Sequence, residues 1–306
     1  MDGPAPDSAV AAWLAERHPG AVVTLVTAGW SDDRKYRVVT ATDAWLYRFS
    51  PLAVYARKQA EFRQVARLNG LTDALPHAVE QGSVPEHDLC FVVYEWCEGT
   101  AAESELPRRD EAEQYRHGET AGKLLQLIHA LPQEEQVDAR AYVRRKIDLR
   151  RREMKEQGLE FEGYAAMIEF LERNLPLLGG TPTVFRHGDF HLGNMLVDAR
   201  GRLRVIDLNR SDFGDPIEDF NRLFTFSRQV SVPFARGQIH GYFGGPPPPD
   251  FFAHALCYVL LDCAFGLLWA RRFGAREIAV QHALTAQIMG DFDRLRAPQP
   301  RWLTAD

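Results

Sequence analysis

Apolar and polar positions change period along this chain. Ser8–Arg17 has helical spacing, with Asp7 placed to cap it. Val22–Val26, Tyr36–Thr40 and Trp45–Phe49 are then rich in β-branched and aromatic residues and separated by turn formers, which predicts strands. Arg57–Leu68 predicts a helix carrying Ala60, Val65 and Leu68 on one side. Asp88–Glu95 holds the apolar run Leu89–Val93, a pattern that fits a strand buried on both faces. Beyond Gly99 the period lengthens. Glu111–Ala130, Ala139–Gln157, Gly163–Asn174 and Phe251–Phe273 all repeat at helical spacing, and only Thr183–Asp207 interrupts them with strand-like residues. Gly244 and Gly245 followed by Pro246–Pro249 form a rigid connector before the last long helices. No internal repeat is visible. The expectation is an α+β chain: a small antiparallel-sheet lobe over residues 1–98 and a larger, mostly helical lobe over 99–306.

Composition narrows the partners. The 306 residues are 45% hydrophobic and 25% charged, as in ordinary globular domains, with a net charge of −6. No basic field exists to gather phosphates, so no nucleic-acid partner is expected. Cys90, Cys97, Cys257 and Cys263 lack CxxC spacing and read as reduced thiols rather than zinc ligands or disulfides. Met1–Asp7 carries acids, Gly and Pro instead of a basic then apolar run, so a cytoplasmic location is expected. The most apolar stretch, Ala253–Ala270, contains His254 and Asp262, which suits a buried helix better than a membrane span.

Chemistry concentrates between His187 and Asp207. The sequence His187-Gly188-Asp189-Phe190-His191-Leu192-Gly193-Asn194 leads into Met195–Val197, a turn around Ala199-Arg200-Gly201, and Leu203–Asp207. A regular hairpin centred between Arg200 and Gly201 would set Met195 opposite Ile206 and Asn194 opposite Asp207. An amide oxygen and a carboxylate so placed could share one hard cation; magnesium takes such oxygens and completes its shell with water and phosphate. Asp189, on a loop bounded by Gly188 and Gly193, could orient an attacking hydroxyl or accept its proton.

These residues resemble the aminoglycoside phosphotransferase and choline kinase family, relatives of protein kinases. The family's HGDxHxxN loop, hIDh strand end and GDPxxD segment read here as HGDFHLGN, VIDL and GDPIED, the last at Gly214–Asp219. The resemblance implies a protein-kinase-like two-lobed fold and transfer of the γ-phosphate of ATP, with Mg2+, to a hydroxyl of a small molecule. It implies Asp189 as catalytic base, and Asn194 and Asp207 as magnesium ligands. His187 becomes a structural residue of the loop, which Asp215 and Asp219 brace. Upstream, Gly29-Trp30-Ser31-Asp32 falls where the family has its nucleotide loop, Glu61 where a carboxylate pairs with a basic residue, and Phe91–Gly99, with Glu95 and Cys97, where a hinge meets adenine. The resemblance favours an acceptor of aminoglycoside or other antibiotic type, with a metabolic amino-alcohol or sugar kinase as alternative, and a catalytically silent nucleotide-binding relative as another.

One departure stands out. The strand position expected to hold a phosphate-contacting lysine carries Arg48, a planar always-charged fork expected to grip phosphate oxygens and to pair with Glu61. Lys35, on the preceding strand, ranks behind Arg48 as supplier of the phosphate contact. His191 reads equally as an ordinary loop histidine or as one facing substrate. Zinc is not expected, because the two histidines lie on a glycine-containing loop without further ligands at zinc spacing. Phe251, Tyr258, Phe265 and Trp269 recur at a spacing that reads as core before it reads as a substrate wall.

Overall fold

A computed structural model describes residues 8–27, 32–133 and 136–303. It divides into two compact units, Met1–Gly99 with Leu196–Leu208, and Thr100–Met195 with Asn209–Asp306.

In the first unit, helix α1 (Ser8–Arg17) precedes strands β1 (Val22–Val26), β2 (Arg34–Val39) and β3 (Ala44–Pro51), helix α2 (Tyr55–Asn69), then β4 (Ala78–Val84) and β5 (Leu89–Glu95). The strands form one antiparallel sheet in the order β1-β2-β3-β5-β4. Side chains alternate across β2 and β3. Tyr36, Val38, Tyr47 and Phe49 face a core with Val10 and Leu14 of α1, while their neighbours Lys35 and Arg48 point to the other face. The strand β4 was not expected. Its sequence Ala-Val-Glu-Gln-Gly-Ser-Val lacks an apolar run, and pairing with the apolar β5 makes it a strand. Gly82 belongs there because a Cβ would stand 2.6 Å from the Phe91 ring.

The segment Leu196–Leu208, expected with the second lobe, packs with the first unit. Arg204 of the strand Leu203–Val205 donates to the Leu75 carbonyl at 3.4 Å, Glu95 at 3.3 Å and Cys97 at 3.2 Å, and the Val205 N–H donates to the Ala74 carbonyl at 2.8 Å.

The second unit is mostly helical: α3 (Glu111–His129), α4 (Ala139–Glu156), α5 (Tyr164–Asn174), α6 (Val232–Phe243), α7 (Phe251–Ala270) and α8 (Ala275–Asp291). Asp110 caps α3 by accepting from the Glu113 N–H at 2.7 Å, and Asp138 caps α4 in the same way. The expected cap Asp7 lies outside the described residues. Helices α3 and α6 cross on glycine. A Cβ on Gly118, Gly122, Gly237 or Gly241 would lie 2.1–2.2 Å from a carbonyl oxygen of the facing helix, so only glycine admits this approach. Helix α7 is long and apolar enough to cross a membrane, but most of it is buried as the core of this unit. Its Phe251, Tyr258 and Phe265 are buried, in line with the core reading, whereas Trp269 is 48% exposed.

Candidate active site

A short antiparallel pair, Val184–Arg186 with Asp212–Gly214, delivers the chain to the loop that starts at His187. The loop is held by backbone bonds. Asp219 is buried and accepts from the N–H groups of His187 at 2.8 Å and Gly188 at 2.7 Å, and from His129 Nε2 at 3.0 Å. His129 in turn bonds Tyr242 through Nδ1 at 2.8 Å, so the glycine crossing of α3 and α6 sets the brace. Burial alone would raise the Asp219 pKa; the His129 bond and nearby cations outweigh it and hold the carboxyl below its ordinary range. Gly188 has φ +78°, and a Cβ there would meet the Arg210 carbonyl at 2.1 Å. Asp215 caps the turn after Gly214, accepting from the Ile217 N–H at 2.9 Å, and bonds Tyr258 at 2.7 Å and His254 at 2.5 Å. Asp219 thus bonds the loop's backbone directly, whereas Asp215, expected to brace it too, instead caps the turn that carries Asp219 and bonds α7; His187 is fully buried.

Asp189 is the loop's candidate reactive group. Its Oδ1 lies 3.0 Å from Arg222 Nε, and its Oδ2 accepts from Asn194 Nδ2 at 3.2 Å. Arg210 and His191 stand at 3.9 and 3.7 Å. Burial pushes its pKa up, but the His191 hydrogen bond and the charges of Arg222, His191 and Arg210 prevail, and the carboxyl lies far below its ordinary range. So weak a base remains ionised at neutral pH. It can orient a hydroxyl in the ground state and accept its proton as the bond to phosphorus forms, without deprotonating a free alcohol. Asn194 uses its NH2 on Asp189, giving Nδ2 to the backbone carbonyl at 2.9 Å as well. Its Oδ1 is thereby left as the acceptor end, which suits a hard cation.

Sequence patterning did not single out Arg210, Arg222 or Phe226 around this loop. Arg222 precedes and Phe226 lies within a π-helical turn, Leu223–Ser227, an irregularity with no apolar-period signature. The turn puts Ser227 Oγ 3.1 Å from the Leu192 N–H and stacks the Phe226 ring on His191 at 4.8 Å between centroids. The guanidinium of Arg222 lies 5.4 Å from the same ring. Beside Asp189 opens a cleft of about 160 Å3, lined by Lys146, Arg186, Arg210 and Arg222 together with Asp212, Glu218, Asp219 and Asp262. Arg186 is already neutralised there, bidentate to Asp212 and bonded to Glu218.

The first unit holds a second ionic cluster. Arg48 gives Nε and Nη2 to Asp33 Oδ2, at 3.2 and 2.8 Å, and Nη1 to Asp207 Oδ1 at 2.9 Å. Lys58 reaches the same Asp33 oxygen at 2.8 Å, and Ser50 donates to Asp33 Oδ1 at 2.6 Å. The expected Arg48–Glu61 pair is not made. Glu61 takes its ion pair from Lys58 at 3.7 Å, three residues away on α2, because the Arg48 fork is occupied by the aspartates. Against the burial that would raise it, these partners lower the Asp33 pKa to about 2. For Glu61 burial wins and the pKa is raised.

Asp207 sits at φ +65°, a left-handed conformation uncommon outside glycine, just past the strand end. The turn before it differs by one residue from expectation. The Asp198 N–H donates to the Arg202 carbonyl at 2.9 Å, centring the hairpin on Arg200 rather than between Arg200 and Gly201. The cause is local: Asp198 Oδ1 accepts from the N–H groups of Arg200 and Arg202, which closes a three-residue loop. The register from which Asn194 was expected to face Asp207 is therefore not the one adopted. Glu95 and Trp96 give their N–H groups to the carbonyls of His77 and Ala44, each at 2.9 Å. Cys97 follows, with its N–H outside the backbone hydrogen bonds among the described residues and its thiol pushed up to about 11 by burial. Ser31, with Gly29 and Trp30, lies outside the described residues.

The donors fit a nucleotide with a divalent cation. The amide oxygen of Asn194 and, in the first unit, the carboxylate of Asp207 are oxygen donors of the kind a hard cation takes, and among the described residues no group of three or more His, Cys, Asp and Glu could hold a metal alone.

An antiparallel sheet with one helix on its charged face, and a helical unit carrying a braced Asp-x4-Asn loop, define the protein-kinase-like α+β class. Solved structures agree. An aminoglycoside 2'-phosphotransferase-IIIa variant in complex with GDP matches with a TM-score of 0.68 at 15% identity, covering 95% of this chain and 99% of that one. The gentamicin complex of APH(2'')-IIa gives 0.65 at 16%, covering 94% and 97%. ADP-bound aminoglycoside phosphotransferase APH(2'')-Ib gives 0.64 at 16%, covering 91% and 97%. No protein of curated function matches the chain. The chain belongs to the phosphotransferase enzyme family, whose model matches residues 22–252.

Proposed function

We propose that this protein is a small-molecule kinase that transfers the γ-phosphate of ATP to a hydroxyl of a compact polar acceptor. The observation that carries the reading is Asp189, an ionised carboxylate fixed by Arg222 and Asn194 on a loop whose backbone is clamped by Asp219. When bound, ATP supplies the phosphoryl group and Mg2+ neutralises charge on it; Asn194 and Asp207 are the residues that would hold the metal. The segment Glu95–Cys97 would meet adenine, with the Cys97 N–H as donor. Asp189 orients the acceptor hydroxyl and takes its proton, while Arg222 and Arg210 keep the carboxylate ionised and fixed. Catalysis then rests on positioning and charge placement, as phosphoryl transfer requires.

For the acceptor, family likeness favours an aminoglycoside or other antibiotic; the gentamicin complex among the similar structures supports that reading. A specific observation favours the second reading, a metabolic sugar or amino alcohol. The cleft sets Lys146, Arg186, Arg210 and Arg222 against four carboxylates, a balance that offers a multiply charged cation little net attraction. A Mg2+-dependent nucleotide-consumption assay over aminoglycosides, other antibiotics, amino alcohols and sugars separates the two. Turnover should fall about 100- to 10,000-fold in Asp189→Asn. A wild type that binds no nucleotide would sink the kinase reading; nucleotide binding without turnover on any acceptor would favour a silent relative.

A further inference from the structure

We propose that Asp262 of α7 is a positioning residue for Asp189 and acts through Arg222. Its carboxylate holds one end of the guanidinium, so that the other end meets Asp189 from a fixed direction. The proposal rests on the kinase reading above.

Helix α7 is apolar along most of its 20 residues and carries a single acid, Asp262. A carboxylate on such a helix needs water or a partner. The side chain is 43% exposed and lines the cleft beside Asp189, so water alone would satisfy it. Instead its Oδ2 accepts from Asn221 Nδ2 at 2.9 Å and from Arg222 Nη1 at 3.3 Å. The turn of α7 that carries it is pinned from behind. Gln281 of α8 donates Nε2 to the Asp262 carbonyl at 2.9 Å, beside Gly266, where a Cβ would stand 2.3 Å from the Gln281 side chain.

Arg222 is thereby held at two points. Nε lies 3.0 Å from Asp189 Oδ1, and Nη1 bonds Asp262. Through Nε alone the guanidinium could swing about that contact, because the arginine stem has many rotamers. The second contact fixes the plane of the fork, and the Phe226 ring lies 5.4 Å from its carbon. Charge argues against a simpler role. Asp262 shares the positive charge of Arg222 with Asp189, so it weakens the attraction Asp189 feels. What it contributes is geometry, at a carboxylate where a misplacement of about 1 Å can cost about 100-fold in rate.

Two readouts on the full chain test this. The first needs no acceptor: the Arg222 Nε–H signal in an arginine side-chain NMR spectrum, identified by its loss in Arg222→Lys. In the wild type this proton should exchange slowly with solvent. In Asp262→Asn, which leaves an oxygen for Asn221 but removes the charge, exchange should quicken about tenfold, with the Tm close to that of the wild type. The second is steady-state kinetics on the best acceptor of the assay above. Asp262→Asn should lower kcat about 10- to 100-fold, with KM for ATP and acceptor within about twofold. It should add little to the loss in Arg222→Lys, because both changes act through one contact. Unchanged exchange at Arg222 would overturn the proposal and leave the kinase reading intact. So would a loss carried by the acceptor KM alone, the mark of direct contact with the acceptor, or losses that multiply in the double variant. A wild type without turnover on any acceptor would overturn the kinase reading and the catalytic part of the proposal together, and is told apart because Arg222 exchange would still respond to Asp262→Asn.

Discussion

The two units place their buried acids by different means. In the helical unit, Asp219 spends its oxygens on two backbone N–H groups and one imidazole, so it fixes the chain itself. In the sheet unit, Asp33 is fixed by side-chain charges, Arg48 and Lys58, with the Ser50 hydroxyl alongside. A brace made of backbone bonds holds a loop whatever its side chains do. A cluster of ion pairs holds its acid only while each cation keeps its place. The loop proposed to orient a hydroxyl uses the first device, and the sheet face that carries Arg48 uses the second.

The difference can be broken at its stiffest point. Asp219→Ala strands two buried N–H groups and His129, and should lower stability by about 3–5 kcal/mol in urea denaturation, with loss of turnover. A loss below about 1 kcal/mol would show that the loop does not depend on this brace. Gly122→Ala attacks the brace from a distance. The new methyl would meet the Gln238 carbonyl at 2.2 Å, forcing α3 and α6 apart and moving His129 with them. Stability should fall by about 1–3 kcal/mol, and turnover should fall further than the unfolded fraction explains. Equal stability in the two proteins would mean the crossing has slack.

The ionic cluster predicts a smaller effect, visible in its pH dependence. The folded pKa of Asp33 is lowered from 3.8 to about 2, so its contribution is present above the unfolded value and is lost as the pH falls through that window. The contribution is about 2 kcal/mol. Asp33→Asn should already lack it at neutral pH and lose correspondingly less between pH 5 and pH 2. Parallel acid-stability curves for the two proteins would show that Asp33 is not held by charge.

Much of this was legible in the chain. Helical periods placed α3, α4, α5 and α7 within a few residues of their ends, because long amphipathic or apolar repeats have few competing solutions. The HGDFHLGN and GDPIED segments pointed to the loop around Asp189 and to Asp219, which braces it, since local glycine and aspartate chemistry dictates the loop. The strand β4 was not legible, because a polar strand exists only through its neighbour. Nor was the Lys58–Glu61 pair, although its three-residue spacing on a helix was a usable signal. Arg222 and Phe226 gave none, as a π-helical turn leaves no period to read.

The sequence by itself determined the class of fold and the loop that carries Asp189, because those follow from periodicity and from motifs closed over a few residues. Only the tertiary structure decided which cation meets which carboxylate. Arg48, Lys58, Asp33 and Asp207 are far apart along the chain, and any of several pairings would satisfy their charges. Sheet register and burial selected one of them.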